Sequence, residues 1–354
     1  MCAFMLYGAA ELQDVRRLTT RTIMYTRHLV LALAVFASGV AIPRSAITQV
    51  RSEVRVVSAG PATIRTVVRG TGDVIVLVPS RGRGPEDFDN LSERLVAAGY
   101  RVLLPEPRGI GGSTGPLDNI TYHDLAADVA AVIREIGAGP ATIVGHAFGT
   151  RIARTLAADH PKLVRQLILL AVAGAVPRSR DIADATDRVF DPTVPRAERL
   201  SAVARAFFAK GNDSRPWYEG WHFEAARAQR ASDARTPLPE WWSGGSAPIL
   251  ILQGAQDLVT LPENARRLAR EFPDRVTLVE ISGAGHAMLP EQPQRIADEI
   301  LAYLRRNGEP PNKRMQQPGA PMAILHMPRR YAALLRNEGL ITSHTAPAAE
   351  ARIR

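Results

Sequence analysis

One cysteine, Cys2, is present in 354 residues. A lone thiol excludes an intramolecular disulfide and a Cys-rich metal site, and at the extreme terminus it offers no cysteine nucleophile. Large domains manage without disulfides even in oxidising compartments, so the scarcity does not fix the compartment. A repeat period and an extended low-complexity tract are also missing. Charge of one sign is scarce in the body, despite a formal net charge of +9. Residues 1–46 hold five arginines against Glu11 and Asp14, and residues 308–354 hold seven Lys/Arg against three glutamates, which leaves +2 on residues 47–307. A body that nearly neutral has no basic footprint for nucleic acid. Long hydrophobic runs are absent too. The uncharged apolar run Leu29 to Ile42 is short for a membrane span.

That run has the layout of an export signal. Arg27 and His28 precede it, and Gly39-Val40-Ala41 suits cleavage after Ala41. The expectation is an exported protein, periplasmic or secreted, with no stable span once the signal is removed. An uncleaved N-terminal anchor is the alternative. Residues 1–23 are an odd preface, and a start at Met24 is one reading of them.

Beyond residue 46 the chain alternates. β-patterned runs "EVRVV", "ATIRTVV" and "DVIVLVP" come first, separated by glycine-bearing turns. "RVLLPEP", "ATIVGHA", "VRQLILLAVA", "APILILQGAQD" and "RVTLVEISGAGH" then read as strands, with amphipathic helical patterns between most of them. Near-continuous apolar strands separated by such helices predict a parallel sheet covered on both faces. The rhythm breaks between about Pro177 and Ser246, where short helical pieces carry all four tryptophans. The expected organisation is a signal-like segment 1–46, a first core part 47–176, a helical cap insertion 177–246, a second core part 247–307, and a mostly disordered tail 308–354. The tail has one candidate short helix near "RRYAALLRNEG".

Three loops at the C-terminal ends of predicted strands attract attention, because ligand sites of open parallel sheets lie there. "VGHAFGT" has the layout of a nucleophile elbow, G-x-S-x-G, with Ala147 at the serine position. "LQGAQDLV" puts Asp257 just past a strand, and "ISGAGHAMLP" puts His286 on a glycine-lined loop. On these motifs and their order the chain resembles the α/β-hydrolases of the lipase, esterase and haloperoxidase-like group, over roughly residues 53 to 307. "PEPRGIGGS" resembles the family's P-D-x-R-G-x-G-x-S turn, with Glu106 where Asp is usual, and "DHPKLVRQLILL" resembles the segment after the elbow helix. The resemblance implies an α/β fold, a mostly parallel doubly wound sheet with an inserted helical cap, and no cofactor.

It also implies roles. His286 would be the general base and Asp257 the carboxylate that orients it. The backbone N–H groups of Phe148 and Arg81 would form the oxyanion hole, with Pro79-Ser80 at the usual His-Gly positions. Ser80, Trp217 and Trp221 would meet the substrate, although a turn serine is the commoner fate of Ser80 and packing that of cap tryptophans. Arg81 and Arg83 stand where an anionic substrate would meet them, although solvated loop arginines are more common. His146 points away from the usual nucleophile direction, and Thr150 is structural. Ala147 has no hydroxyl and excludes the usual acyl-enzyme.

Three readings stay open. The first is an enzyme acting on a small apolar ester- or amide-like molecule, with His286 and Asp257 activating water or abstracting a proton. The second is an inactive pseudo-hydrolase that binds a small molecule. The third is an esterase disabled by a serine-to-alanine substitution. All three take a small-molecule partner and none takes nucleic acid or a metal.

Overall fold

The eight apolar runs become eight strands in one sheet, as described for residues 52–136 and 139–307 by a computed structural model. The export-like segment with its Met24 start, and the tail 308–354 with its candidate helix, lie outside the described residues. The strands are β1 (Ser52–Ala59), β2 (Ala62–Arg69), β3 (Val74–Val78), β4 (Arg101–Pro105), β5 (Ala141–His146), β6 (Val164–Leu170), β7 (Ile249–Gly254) and β8 (Val276–Ile281). Their spatial order is β1-β2-β4-β3-β5-β6-β7-β8. β1 pairs antiparallel with β2 and β2 antiparallel with β4, while every other pairing is parallel. Sequence pattern and position agree. β3, β5 and β7 are buried at every residue, whereas β2 alternates between buried and half-buried positions. A central parallel strand is covered on both faces, so both of its side-chain rows must be apolar.

Helices supply that cover. α1 (Asp89–Ala97), α2 (Tyr122–Glu135) and α3 (Phe148–Asp159) follow β3, β4 and β5 in the chain. α2 and α3 pack on one face through Leu125, Val129, Ile133, Ile152 and Leu156, together with Ala265 and Leu268 of α8 (Pro262–Glu271). α1 covers the other face through Leu91 and Leu95, beside Ile296, Ile300 and Leu304 of α9 (Pro293–Asn307). α2 starts at a capping box. The Thr121 hydroxyl accepts from the Asp124 N–H at 3.2 Å, and the Asp124 carboxylate accepts from the Thr121 N–H at 2.8 Å.

Between β6 and β7 lie α4 (Arg180–Val189), α5 (Arg196–Phe207), α6 (Phe223–Ser232) and the single turn α7 (Leu238–Trp241). α4 and α5 build a small core of their own from Ile182, Val189, Val203 and Phe207, with Trp217 at its centre. Trp241 and Trp242 belong instead to the sheet-facing core. They stack against the Arg154 guanidinium at 4.5 and 5.3 Å and so anchor the end of the insertion to α3. No described helix is long and apolar enough to cross a membrane.

Candidate active site

Strand β5 must reverse into α3 within one residue, and the surrounding sequence permits this. Ala147 sits at φ 52°, ψ −106°, a conformation that residues with a side chain rarely adopt. Gly145 and Gly149 flank it for want of space. A methyl on Gly145 would strike the Gly149 carbonyl, and one on Gly149 would strike the Val78 and Pro79 carbonyls at the end of β3. The turn is pinned by the Ala147 N–H, which donates to the Leu170 carbonyl at 2.8 Å. The Thr150 hydroxyl donates back to the Ala147 carbonyl at 2.6 Å, which makes Thr150 a brace of the turn. The "VGHAFGT" segment is therefore an elbow in backbone shape, and a methyl group stands at its tip.

Asp257 leaves the end of β7 and is 1% exposed. One carboxylate oxygen accepts from the Val259 and Thr260 N–H groups at 2.8 and 2.9 Å, and the other from the Thr260 hydroxyl at 2.7 Å. His286, on the loop after β8, is 3% exposed. Its Nδ1 lies 3.0 Å from Oδ2 and 3.2 Å from Oδ1 of Asp257. Burial by itself would raise the Asp257 carboxyl, but the His286 charge and the Thr260 hydrogen bonds outweigh it and hold the group below its usual range. An ionised Asp257 keeps the proton on Nδ1, which leaves Nε2 as the free basic nitrogen. Nε2 has no partner among the described residues.

His286 lines a cleft open to solvent, with Ala147, Ser80, Phe148, Phe207, Val259 and Thr260 in its wall. Four separate strand ends contribute: β3 through Ser80 and Arg81, β5 through Ala147, β7 through Thr260 and β8 through His286. The Phe148 N–H is the first of α3 and so has no acceptor within its own helix. Neither it nor the Arg81 N–H has an acceptor among the described residues. The Ser80 hydroxyl likewise has no partner among the described residues.

His146 is fully buried and faces away from Ala147. Its Nε2–H donates to the His286 carbonyl at 2.9 Å, and its ring packs 5.6 Å from the His286 ring. Burial, and then the nearby His286, push its pKa down to about 4, so the ring is neutral at pH 7.

Two sequence expectations meet a different arrangement. Trp217 and Trp221 do not line this cavity. Trp217 is 2% exposed and fills the cap core behind Phe207, because a side chain that large at the centre of a small helical cluster gains most by complete burial. Trp221 donates its indole N–H to the Trp217 carbonyl at 2.7 Å. Arg83 is not a solvated loop residue either. It chelates Asp87 at 2.5 and 3.0 Å and stacks over Trp217 and Trp221 at 5.0 and 4.7 Å, so it fastens the cap. Glu106 accepts from the Gly112 N–H at 2.6 Å and from Arg65, which shapes the "PRGIGGS" turn away from the cavity.

The sequence reading also missed residues. Thr260 and Gln253 tie down Asp257, the latter at 3.2 Å. Glu291 accepts from the Gly285 N–H and from the Ala209 N–H, both at 2.7 Å, so it links the histidine loop to the cap. Arg151 and Arg178 join Arg81 in the cavity wall, which makes that wall less apolar than expected. Arg151 lies one helical turn past the elbow, a spacing that places it near the cavity but does not show what it pairs with. Arg178 and Asp233 come from irregular segments, where no period signals a direction. Among the described residues no three His, Cys, Asp or Glu side chains converge as a metal cage.

Comparison with known proteins agrees with this architecture. Residues 75–299 match the model of the alpha/beta hydrolase family. The chain is 29% identical over 249 residues to BpoC of Mycobacterium tuberculosis, named as a non-heme bromoperoxidase, covering 66% of this chain and 94% of that one. It is 26% identical over 250 residues to a non-heme chloroperoxidase of Streptomyces lividans, covering 62% and 87%. The solved esterase EaEST of Exiguobacterium antarcticum superposes with a TM-score of 0.62 at 22% identity, covering 72% of this chain and all of that one, a likeness of fold. An elbow, an acid after β7 and a histidine after β8, on a sheet of this order and under a family model spanning most of the folded body, lead to one assignment: the chain belongs to the alpha/beta hydrolase family.

Proposed function

We propose that the chain is an enzyme of hydrolytic lineage that acts on a small ester- or amide-like molecule, with the His286–Asp257 pair as base and no covalent serine intermediate. The observation that carries this reading is the buried, doubly hydrogen-bonded His286–Asp257 contact, whose free Nε2 belongs to the same cavity as Ala147. A carboxylate fixed behind an imidazole stabilises the imidazolium that forms when a proton is taken. The methyl of Ala147 removes the nucleophile but leaves the base, the unpaired N–H groups of Phe148 and Arg81, and the room a hydroxyl would occupy. His286 then deprotonates a water that attacks the substrate carbonyl directly, or takes a proton from the substrate itself. An elbow without its serine forfeits a factor of about a million in acyl-enzyme chemistry, so turnover by this route is slow on ordinary esters.

Turnover of an activated ester panel, measured for this chain, for Ala147→Ser and for His286→Ala, tests the reading. The expected result is a slow reaction without a burst, reduced at least a hundredfold in His286→Ala. Inertness of this chain and of Ala147→Ser, with tight retention of a small ligand, would sink the enzyme in favour of a binding protein. A gain of several orders of magnitude confined to Ala147→Ser would identify a disabled esterase.

A further inference from the structure

We propose that the ligand of this cavity carries a carboxylate, and that Arg178 is the side chain that grips it, in a positive wall completed by Arg81 and Arg151. The inference deepens the reading above and rests on it for the reaction, while the binding stands on its own observations.

Three guanidinium groups line the cavity with His286. Arg81 and Arg151 have an internal explanation. Both clamp Asp233, at 2.7 and 2.9 Å, and the Tyr122 hydroxyl occupies the same carboxylate at 2.7 Å. Asp233 thus takes three donors, and Arg178 is not among them. Arg178, on the loop between β6 and α4, forms no hydrogen bond or ion pair with any described residue. Its Nε is nevertheless shielded from water, and so are the unpartnered Nε atoms of Arg81 and Arg151.

The charges around Arg178 are Arg230 and Arg151 against Asp187 and Asp233, and both carboxylates are already engaged, Asp187 by Arg230 at 2.9 Å and Asp233 by Arg81 and Arg151. Arg154, fully buried one turn beyond Arg151, adds another cation with no carboxylate partner among the described residues. Such unbalanced, partly desolvated guanidinium groups are costly unless an anion completes them. A planar fork with free N–H groups suits a carboxylate, which it can bind through two parallel hydrogen bonds. Beside Ser80, Thr186 and Thr260, the wall has an apolar part, Phe148, Phe190, Phe207 and Val259, that suits a short aliphatic or aromatic body. The ligand is thus a monocarboxylate with an apolar body, its second functional group left for His286.

Titration calorimetry on the full chain at low ionic strength tests this with two acid–amide pairs, phenylacetate with phenylacetamide and hexanoate with hexanamide, and with inorganic phosphate. Each carboxylate is expected to bind at least tenfold tighter than its amide, a difference of about 1.4 kcal/mol. Arg178→Gln should abolish that preference without lowering the thermal midpoint, because Arg178 holds nothing in the fold. Arg178→Lys, which keeps the charge and loses the fork, should retain part of it. Failure of both carboxylates to bind, equal affinity for acid and amide, a preference that survives Arg178→Gln, or phosphate binding as tightly as the carboxylates overturns the inference. A chain that binds carboxylates in this way and turns over nothing sinks the catalytic reading alone. A chain that hydrolyses neutral esters through His286 while ignoring charge sinks this one alone.

Discussion

Ala147 shows how a single residue can keep the cost of a function whose reactive atom it lacks. A non-glycine residue at φ 52° carries strain of about 1–3 kcal/mol, which the surrounding turn must hold in place. Strain of this kind serves to project a side chain into a pocket, and here it projects a methyl. Its neighbour His146 has a different consequence. The folded-state pKa of about 4 lies below the ordinary value of 6.5 because the ring is buried. Between those values the unfolded chain binds a proton that the folded chain refuses, so stability falls as pH drops from about 6.5 to 4 and the loss then levels off. Asp257, whose carboxyl is held low, adds its own loss only further down, as pH falls through its folded pKa. Denaturant unfolding at pH 7.5 and 4.5 is expected to show a loss of about 2–3 kcal/mol attributable to His146. His146→Phe should flatten the profile over that interval. A profile equally steep in the variant would show that the ring is protonated in the folded state.

The elements explain why the elbow has this form. β5 and α3 meet with Gly145 and Gly149 facing each other, and Gly149 also faces the last carbonyls of β3. The contact brings the Ser80–Arg81 loop next to the elbow, so one glycine serves both the packing of α3 and the shape of the cavity. Gly149→Ala must push backbone against backbone, which flexible side chains cannot absorb. The expected cost is about 3 kcal/mol in a urea titration, and a change under 1 kcal/mol would mean that α3 can slide. The cap works differently. Its own core is small, and it is fastened by Arg83 stacked on Trp217 and Trp221, by Trp241 and Trp242 on Arg154, and by Glu291 on the histidine loop. Sequence patterning marked this segment as short helical pieces, but not the inward direction of Trp217. Aromatic content shows that something will be buried, and only the packing shows against what.

For the whole molecule, the sign and place of charge yield a further expectation. The net +9 of the chain falls to +2 between residues 47 and 307. Chromatography on heparin should retain the full chain to a higher salt concentration than a chain cut to residues 47–307, because the excess cations sit at the termini. Equal retention would point to a basic face on the body. Much of this molecule was legible before folding was considered. Continuous apolar runs of strand length, separated by helical periods, require a sheet covered on both faces, and an elbow followed by Asp257 and His286 marks three strand ends. Such features are local, and spacing along the chain suffices to read them. The strand order was not local, and neither was the convergence of His286 on Asp257 across 29 positions. Nor were the arginines. Arg81, Arg151 and Arg178 are ordinary cations in the sequence, and they differ only because folding gives two of them Asp233 and leaves the third with no partner among the described residues. The sequence by itself determined the hydrolase-type sheet and the absence of a hydroxyl at the elbow tip, because both are written in residue type and spacing. Tertiary structure alone decided which charges found partners and which were left for a ligand, because pairing depends on distance in space.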